Sequence, residues 1–223
     1  MMTIVDPEDG WFEIGMEERE EPRYYEVQGR LLPSVTTVQG VVRNPFLMKW
    51  EGRVGNEMAK AVMDSTSEYG QHIHDLTALM DMTGGGLDVI GTPPEGMEKQ
   101  LLNYAKWTAA QVARVVEVET VVFSLRFGYA GRLDRVFRLK GDRLPSVWDI
   151  KTGTLRAISR AQTAAYKHAY KEMTGEAIGR RGLIGVSRKT GRVTIKEHSD
   201  PSDFSGFLAL LNVYNWLVAI GEA

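Results

Sequence analysis

The fold is decided by residues 117–151, which read EVETVVFSLRFGYAGRLDRVFRLKGDRLPSVWDIK. Valine, phenylalanine and leucine are frequent in this stretch, and turns that contain glycine or proline divide it. Runs of β-branched and aromatic residues between such turns are typical of strands. The pattern predicts three consecutive strands, at residues 117–127, 130–139 and 147–151.

The segments that follow alternate between helix and strand. Apolar residues recur at helical spacing over 159–173 and 203–220, and two short strands are expected at 183–187 and 193–197. The second half therefore has the order βββ-α-β(β)-α. Together with the helical first half, this order predicts an α/β or α+β fold.

The first half is mostly helical by its pattern. A small hairpin is expected at residues 24–32, and Ser34 is a candidate N-cap for a short helix. Further helices are expected up to residue 63, over 67–82, and from Pro94 to near residue 116. The pattern suggests three regions, namely an acidic, loose N-terminal arm (1–23), a helical region with the hairpin (24–116) and a core (117–223).

Composition excludes several classes of protein. The 223 residues are 43% hydrophobic and 25% charged, as in ordinary globular proteins, and include no cysteine. Disulfides, thiolate zinc sites and cysteine-ligated iron–sulfur clusters are therefore excluded. No apolar run is long enough for a membrane span, and the N-terminal residues do not resemble a signal peptide. A cytoplasmic location is expected, with the mitochondrial matrix as the less favoured alternative.

Charge is distributed unevenly. Residues 123–196 contain 17 Lys and Arg against 5 Asp and Glu, although the whole chain has a net charge of -2. A basic segment of this kind fits a polyanionic partner such as DNA. The alternative is a set of solvated strand and helix faces.

The segment Asp149-Ile150-Lys151 contains the first candidate catalytic residues. On a strand, the side chains of Asp149 and Lys151 point to one face while Ile150 points into the core. Asp134, on the preceding strand, could lie beside them. Two adjacent carboxylates need a cation, and their hard oxygens suit Mg²⁺ or Mn²⁺, which would lower the pKa of a bound water. Lys151 would orient that water or help to deprotonate it, whereas the alternative is an ion pair on an exposed strand.

Other polar residues are expected near the same strand end. Gln162 and Tyr166 are four residues apart on the next helix and share a face. His72 and His74 each offer an imidazole, and Glu119 lies near the start of the first strand. Either histidine could instead be a core or surface residue.

In this order the motifs resemble a known family. They are Gly70…His74, Glu119, Gly131-Arg132-Leu133-Asp134, Asp149-Ile150-Lys151-Thr152 and Gln162-x-x-x-Tyr166. The chain is similar, from about residue 24 to about residue 175, to the RecB-type branch of the PD-(D/E)XK nucleases. Within that branch it looks most like the phage and bacterial exonucleases and the mitochondrial genome maintenance exonuclease.

The resemblance implies a restriction-endonuclease-like mixed sheet with an αβββαβ core and an N-terminal helical elaboration that covers the active site. It implies that Asp134 and Asp149 bind the metal together with the Ile150 carbonyl and His74, whose spacing from Gly70 matches the family better than that of His72. The other roles it implies are Lys151 serving the attacking water, Gln162 and Tyr166 positioning substrate or Lys151, and Glu119 lying at the rim. Asp149 stands where many relatives have Glu.

The implied function is a metal-dependent DNA exonuclease acting on single-stranded or duplex ends, by one-metal or two-metal hydrolysis, in replication, recombination or repair. A single-strand-binding or recombination protein is a candidate partner, and no membrane is involved. The residues expected to contact DNA are Arg132, Arg135, Arg156, Arg160 and Tyr166. Trp50 and Trp107 are expected to pack in the core rather than stack on bases. The alternatives are a non-catalytic nucleic-acid-binding or assembly protein and a structure-specific endonuclease.

Overall fold

The computed structural model describes residues 2–6, 10–16, 23–42, 45–84 and 86–222. These residues form a four-stranded sheet, a five-stranded sheet and helices on both faces of the larger sheet. The α/β architecture with a mixed central sheet is therefore confirmed. No helix in the described ranges is both long and apolar enough to cross a membrane.

The strands follow the sequence order within each sheet. The smaller sheet contains β1 (Met2–Asp6), β2 (Gly10–Met16), β3 (Tyr24–Val27) and β4 (Arg30–Pro33). The larger sheet contains β5 (Val112–Ser124), β6 (Tyr129–Leu139), β7 (Ser146–Lys151), β8 (Arg181–Val186) and β9 (Val193–Glu197). The helices are α1 (Val35–Gln39), α2 (Pro45–Val54), α3 (Asn56–Thr83), α4 (Glu98–Gln111), α5 (Ser159–Thr174) and α6 (Ser202–Ala219), with a 3₁₀ turn at Leu87–Val89.

The N-terminal region differs from the loose arm that was expected. Residues 2–6 and 10–16 form an antiparallel pair, and β2 pairs in turn with β3. Both segments are rich in β-branched and aromatic residues, which explains the strands. The acidic run that suggested an arm, at residues 17–21, lies outside the described residues.

The predicted hairpin and the first helix cap are present. At the turn between β3 and β4, Gln28 and Gly29 both have positive φ, at 51° and 71°, as a tight hairpin turn requires. Ser34 then caps α1, and its hydroxyl accepts a hydrogen bond from the Thr37 amide.

Two helix boundaries were predicted wrongly. The break lies at Gly55, where φ is 84°, and α3 then continues through residues 64–66 without interruption. The Thr66 hydroxyl donates to the Val62 carbonyl 2.7 Å away, so a polar residue is accommodated inside the helix. In addition, α4 ends at Gln111 and β5 begins immediately, so the boundary placed at residue 117 falls inside a strand.

The central sheet has the predicted connectivity. β5, β6 and β7 form an antiparallel meander, and α5 crosses over to β8, which pairs parallel to β7. β9 then pairs antiparallel with β8 at the edge. β7 thus lies in the middle of the sheet and is buried on both faces up to its last residue.

Helices cover both faces of this sheet. On one face, α5 and α6 pack against apolar residues such as Leu133 and Val136. On the other face, α3 and α4 pack against Phe137, Trp148 and Ile150. Trp107 joins this second cluster, in agreement with its expected core role, and its ring lies 6.2 Å from that of Phe137.

Candidate active site

A cleft of about 720 Å³ lies where the carboxyl end of β7 meets α3 and α5. Most of the predicted site residues line it. They are His74, Glu119, Arg132, Asp134, Asp149, Ile150, Lys151, Gln162 and Tyr166.

Helix α3 brings His74 against the end of β7. Its Nε2 atom lies 2.9 Å from the Ile150 carbonyl oxygen, and its Nδ1 atom lies 3.5 Å from Oδ2 of Asp134. The same Asp134 oxygen accepts a hydrogen bond from the Ile150 amide at 2.6 Å. Three of the groups expected to hold a metal therefore converge, whereas His72 is exposed and does not line the cleft.

The charges around His74 favour its protonated form. Burial lowers its pKa, but the carboxylates of Asp134, Glu119 and Asp149 outweigh burial and leave the pKa above its ordinary value. An imidazole that attracts a proton in this way occupies a strongly negative environment.

Glu119 lies inside the donor group rather than at its rim. The ligand atoms of His74, Glu119 and Asp134 all lie within 4.8 Å of one another, and together they could hold a metal ion. Glu119 also has φ of 49°, in the left-handed region that a residue other than glycine rarely adopts. Such a conformation costs roughly 1–3 kcal/mol and persists only where surrounding contacts impose it.

Asp149, which is buried, and Lys151, which is half-buried, form an ion pair on one face of β7, as predicted. The Lys151 Nζ atom lies 3.1 Å from Oδ1 and 2.8 Å from Oδ2 of Asp149, whose side chain is 1% exposed. Burial, with a contribution from Asp134, raises the pKa of Asp149 to about 6 although Lys151 opposes the shift. Burial lowers the pKa of Lys151, but the two aspartates outweigh it and raise that pKa. In this arrangement the Lys151 ammonium donates a hydrogen bond to the Asp149 carboxylate.

Gln162 and Tyr166 lie on the face of α5 that lines the cleft. The Gln162 amide donates to the Tyr166 hydroxyl at 3.4 Å, and both side chains are buried. The Tyr166 ring packs on Gly131, where a Cβ atom would lie only 2.7 Å from the ring. The glycine of the Gly131–Asp134 motif thus provides room for this tyrosine.

Arg135 was predicted to contact DNA, but its side chain is fully buried. Its Nη1 donates to Oε1 of Glu119 at 2.8 Å, and its Nε donates to Asp81 at 2.6 Å. Further hydrogen bonds go to Thr77 and to the backbone carbonyl of His74. The enclosed guanidinium therefore lies on the buried side of the site, where it bonds to Glu119 and to residues of α3.

The other predicted DNA contacts divide between the cleft and the remaining surface. Arg132 lines the cleft, is 36% exposed and lies 3.5 Å from Oε2 of Glu119. Arg156 is exposed and Arg160 pairs with Asp200 and Asp203, and neither lines the cleft. Part of the basic surplus therefore forms internal ion pairs.

Sequence reasoning missed several residues around the cleft. Thr77 and Asp81 follow His74 by three and seven positions on one face of α3, a helical spacing that could have identified them. Trp50, expected in the core, is half-buried and lines the cleft. The other side chains that were missed there include Arg23, Tyr25, Thr36, Thr152 and Thr154.

Comparison by sequence identifies no relative, since no family model and no curated protein matches the chain. Among solved structures, the crystal structure of SSO0001 is 16% identical, with 81% of this chain and 74% of the other aligned at a TM-score of 0.42. A protein from Eubacterium rectale, provisionally described as an exonuclease, is 12% identical at a TM-score of 0.33. That alignment covers 48% of this chain and less than half, 46%, of the other. Similarities this low carry no argument about function.

Proposed function

We propose that this chain is a metal-dependent nuclease that hydrolyses phosphodiester bonds in DNA, and that it acts as an exonuclease on single strands or duplex ends. One observation carries the proposal. Three carboxylates, an imidazole, a backbone carbonyl and a lysine meet in one cleft at the end of the central strand β7.

The donor set fits a hard divalent cation. His74, Glu119 and Asp134 would hold it together with the Ile150 carbonyl, and Asp149 would lie alongside. Oxygen donors outnumber the single nitrogen, which favours Mg²⁺ or Mn²⁺ over softer metals. Such an ion would polarise a phosphate oxygen and lower the pKa of a bound water.

The side chains of the chain itself supply orientation and charge. Lys151, which donates a hydrogen bond to Asp149, would donate to the attacking water or to a phosphate oxygen as negative charge develops there. The half-exposed Arg132 would pair with a phosphate, and Tyr166 would position the substrate. In the reaction, the water oxygen loses a proton and forms a new bond to phosphorus, one phosphorus–oxygen ester bond breaks, and the departing oxygen takes up a proton.

The preference for DNA ends rests on the walls of the cleft. Residues of α2 and α3, including Trp50, Met63 and Thr66, line the same cleft as Lys151. A helical wall beside the catalytic strand would confine a threaded single strand, and an aromatic side chain in that wall would stack on an unpaired base.

The test uses end-labelled linear single strands and covalently closed circles of the same sequence, with Mg²⁺ or Mn²⁺. We expect metal-dependent shortening of the linear strands, little cutting of the circles, and loss of activity in Lys151→Ala. Equal cutting of circles would indicate an endonuclease. DNA binding without any cleavage by the wild type would indicate a non-catalytic binding protein.

A further inference from the structure

We propose that Arg135 is a positioning residue that holds Glu119 in the cation site, an inference that rests on the nuclease function proposed above. Within the described part of the chain, the guanidinium donates five hydrogen bonds. Only one of them reaches a side chain of the donor group, namely Oε1 of Glu119.

Glu119 needs such support for two reasons. Its backbone has the strained φ of 49°, and its carboxylate lies in the same small volume as that of Asp134. Without a fixed positive partner, the two carboxylates would repel each other and Glu119 could relax into an ordinary strand conformation. Arg135 also donates to the backbone carbonyl of Asp134 at 2.7 Å, but the Asp134 carboxylate is held separately, by the Ile150 amide at 2.6 Å.

Arg135 is itself fixed on the side away from the cleft. The Asp81 carboxylate accepts hydrogen bonds from the Arg135 Nε and from the Tyr104 hydroxyl, each at 2.6 Å. All three side chains are buried. The Thr77 hydroxyl oxygen accepts a hydrogen bond from the Arg135 Nη2 at 3.0 Å. The planar fork therefore has one orientation, which a lysine with its single ammonium could not reproduce.

The chain offers a matched control on the same carboxylate. Arg132 approaches the other oxygen of Glu119, Oε2, but at 3.5 Å and with a side chain that is 36% exposed. The same Arg-to-Lys change can thus be made at a buried, multiply bonded arginine and at a half-exposed, weakly paired one.

The measurement is Mn²⁺ affinity of the DNA-free protein, by calorimetry. We expect Arg135→Lys to weaken Mn²⁺ binding by roughly 10- to 100-fold, as for other groups that orient metal ligands. Arg132→Lys should change it by less than about twofold, because its contact with Glu119 is weak. Equal losses in the two variants would overturn the proposal.

A double-mutant cycle separates positioning through Glu119 from a general structural role. If Arg135 acts through Glu119, then Arg135→Lys should cause no further loss of Mn²⁺ affinity in a Glu119→Gln background. Additive losses would refute the inference while leaving the nuclease function intact. Failure of the wild type to bind Mn²⁺ would instead refute the proposed function.

A second pair of variants covers the case in which Arg135→Lys does not fold. Arg135→Gln combined with Asp81→Asn replaces the buried Arg135–Asp81 ion pair with two neutral groups, and Glu119→Gln removes the charge of the second carboxylate that pairs with Arg135. The cycle with Glu119→Gln is then repeated in this background, and the same non-additivity is expected.

Discussion

Leu133 and Arg135 lie two residues apart on β6, yet they are buried on opposite faces of the central sheet. In a regular strand, residues two apart share a face. The alternation therefore reverses at Asp134, and the flanking pairs Val118–Arg135 and Thr120–Leu133 place Glu119 across from it. Because Glu119 has a positive φ, the irregularity occurs in both strands at the candidate site.

This reversal gives the two carboxylates their position. Leu133 remains in the core beneath α5, and Arg135 reaches the polar face of α3. Asp134, between them, bonds to the Ile150 amide of the neighbouring strand. A strictly alternating strand would place Leu133 and Arg135 on one face and could not serve both purposes.

Substitution of Gly131 should damage the site through Tyr166. In Gly131→Ala the new methyl group would lie 2.7 Å from the Tyr166 ring and 3.3 Å from Val35, so the ring must move. We expect the free energy of unfolding to fall by about 1–3 kcal/mol and nuclease activity to fall at least tenfold. Gly206→Ala is the control, because Gly206 has open space and alanine favours a helix, so its stability should be unchanged or higher. A fully active Gly131→Ala would contradict this account.

Much of the fold could be predicted because its signals are local. The turns around β6 and β7, the shared face of Asp149 and Lys151, and the spacing of Gln162 and Tyr166 depend only on strand and helix periodicity. The structure confirms each of these arrangements.

The rest depends on tertiary contacts that periodicity does not encode. Arg135 has the same side chain as Arg132, but the reversal at Asp134 turns Arg135 towards α3, where it is buried, whereas Arg132 lines the cleft. The position of Glu119 in the donor group likewise follows from its positive φ, which no residue pattern announces. Arg160 was expected to bind DNA, but Asp200 and Asp203, 40 or more positions later, neutralise it.

The two arginines Arg132 and Arg160 should therefore differ in DNA binding. Arg132→Ala should weaken binding across sequences and reduce the slope of log affinity against log salt by about 1, because one phosphate contact is lost. Arg160→Ala should leave both quantities unchanged, since its guanidinium pairs with Asp200 at 2.8 Å and Asp203 at 2.9 Å outside the cleft. The affinity and its salt slope are both measured by salt titrations of a labelled strand. Each arginine substitution is made in a catalytically inactive Lys151→Ala protein, so that the strand stays intact. Equal effects would place DNA on the Arg160 surface as well.

His198 should make the folded state sensitive to acid, independently of the active site. Its ring is buried against Thr163, and burial together with Arg181 lowers its pKa to about 4. In the unfolded chain the pKa of this histidine is about 6.5, so the unfolded state takes up the proton first as the pH falls. The contribution of neutral His198 to the free energy of unfolding is therefore complete above the unfolded-state pKa and is lost as the pH falls towards 4.

The measurement compares urea unfolding of wild type and His198→Gln. The difference in unfolding free energy between them should shrink between about pH 7 and about pH 4, because the wild type alone loses stability through this group. The control is the same substitution at an exposed histidine, His72→Gln. A pH-independent difference for His198→Gln would exclude this explanation.

Binding of Mn²⁺ should stabilise the protein through the crowded carboxylates of the cleft. A ligand that binds only the folded state at 100 times its Kd adds about 2.7 kcal/mol, which for a chain of this size corresponds to a rise in melting temperature of roughly 5–10 °C. Asp134→Asn should abolish the rise, because Asp134 is the carboxylate closest to His74 and bonds to the Ile150 amide. Asp142→Asn is the matched control, since Asp142 pairs with Arg180 away from the cleft and its loss should leave the Mn²⁺ response intact. A chelator should reverse the wild-type rise. If Asp134→Asn retained the full response, the cation would bind elsewhere and the assignment of the donor group would be wrong.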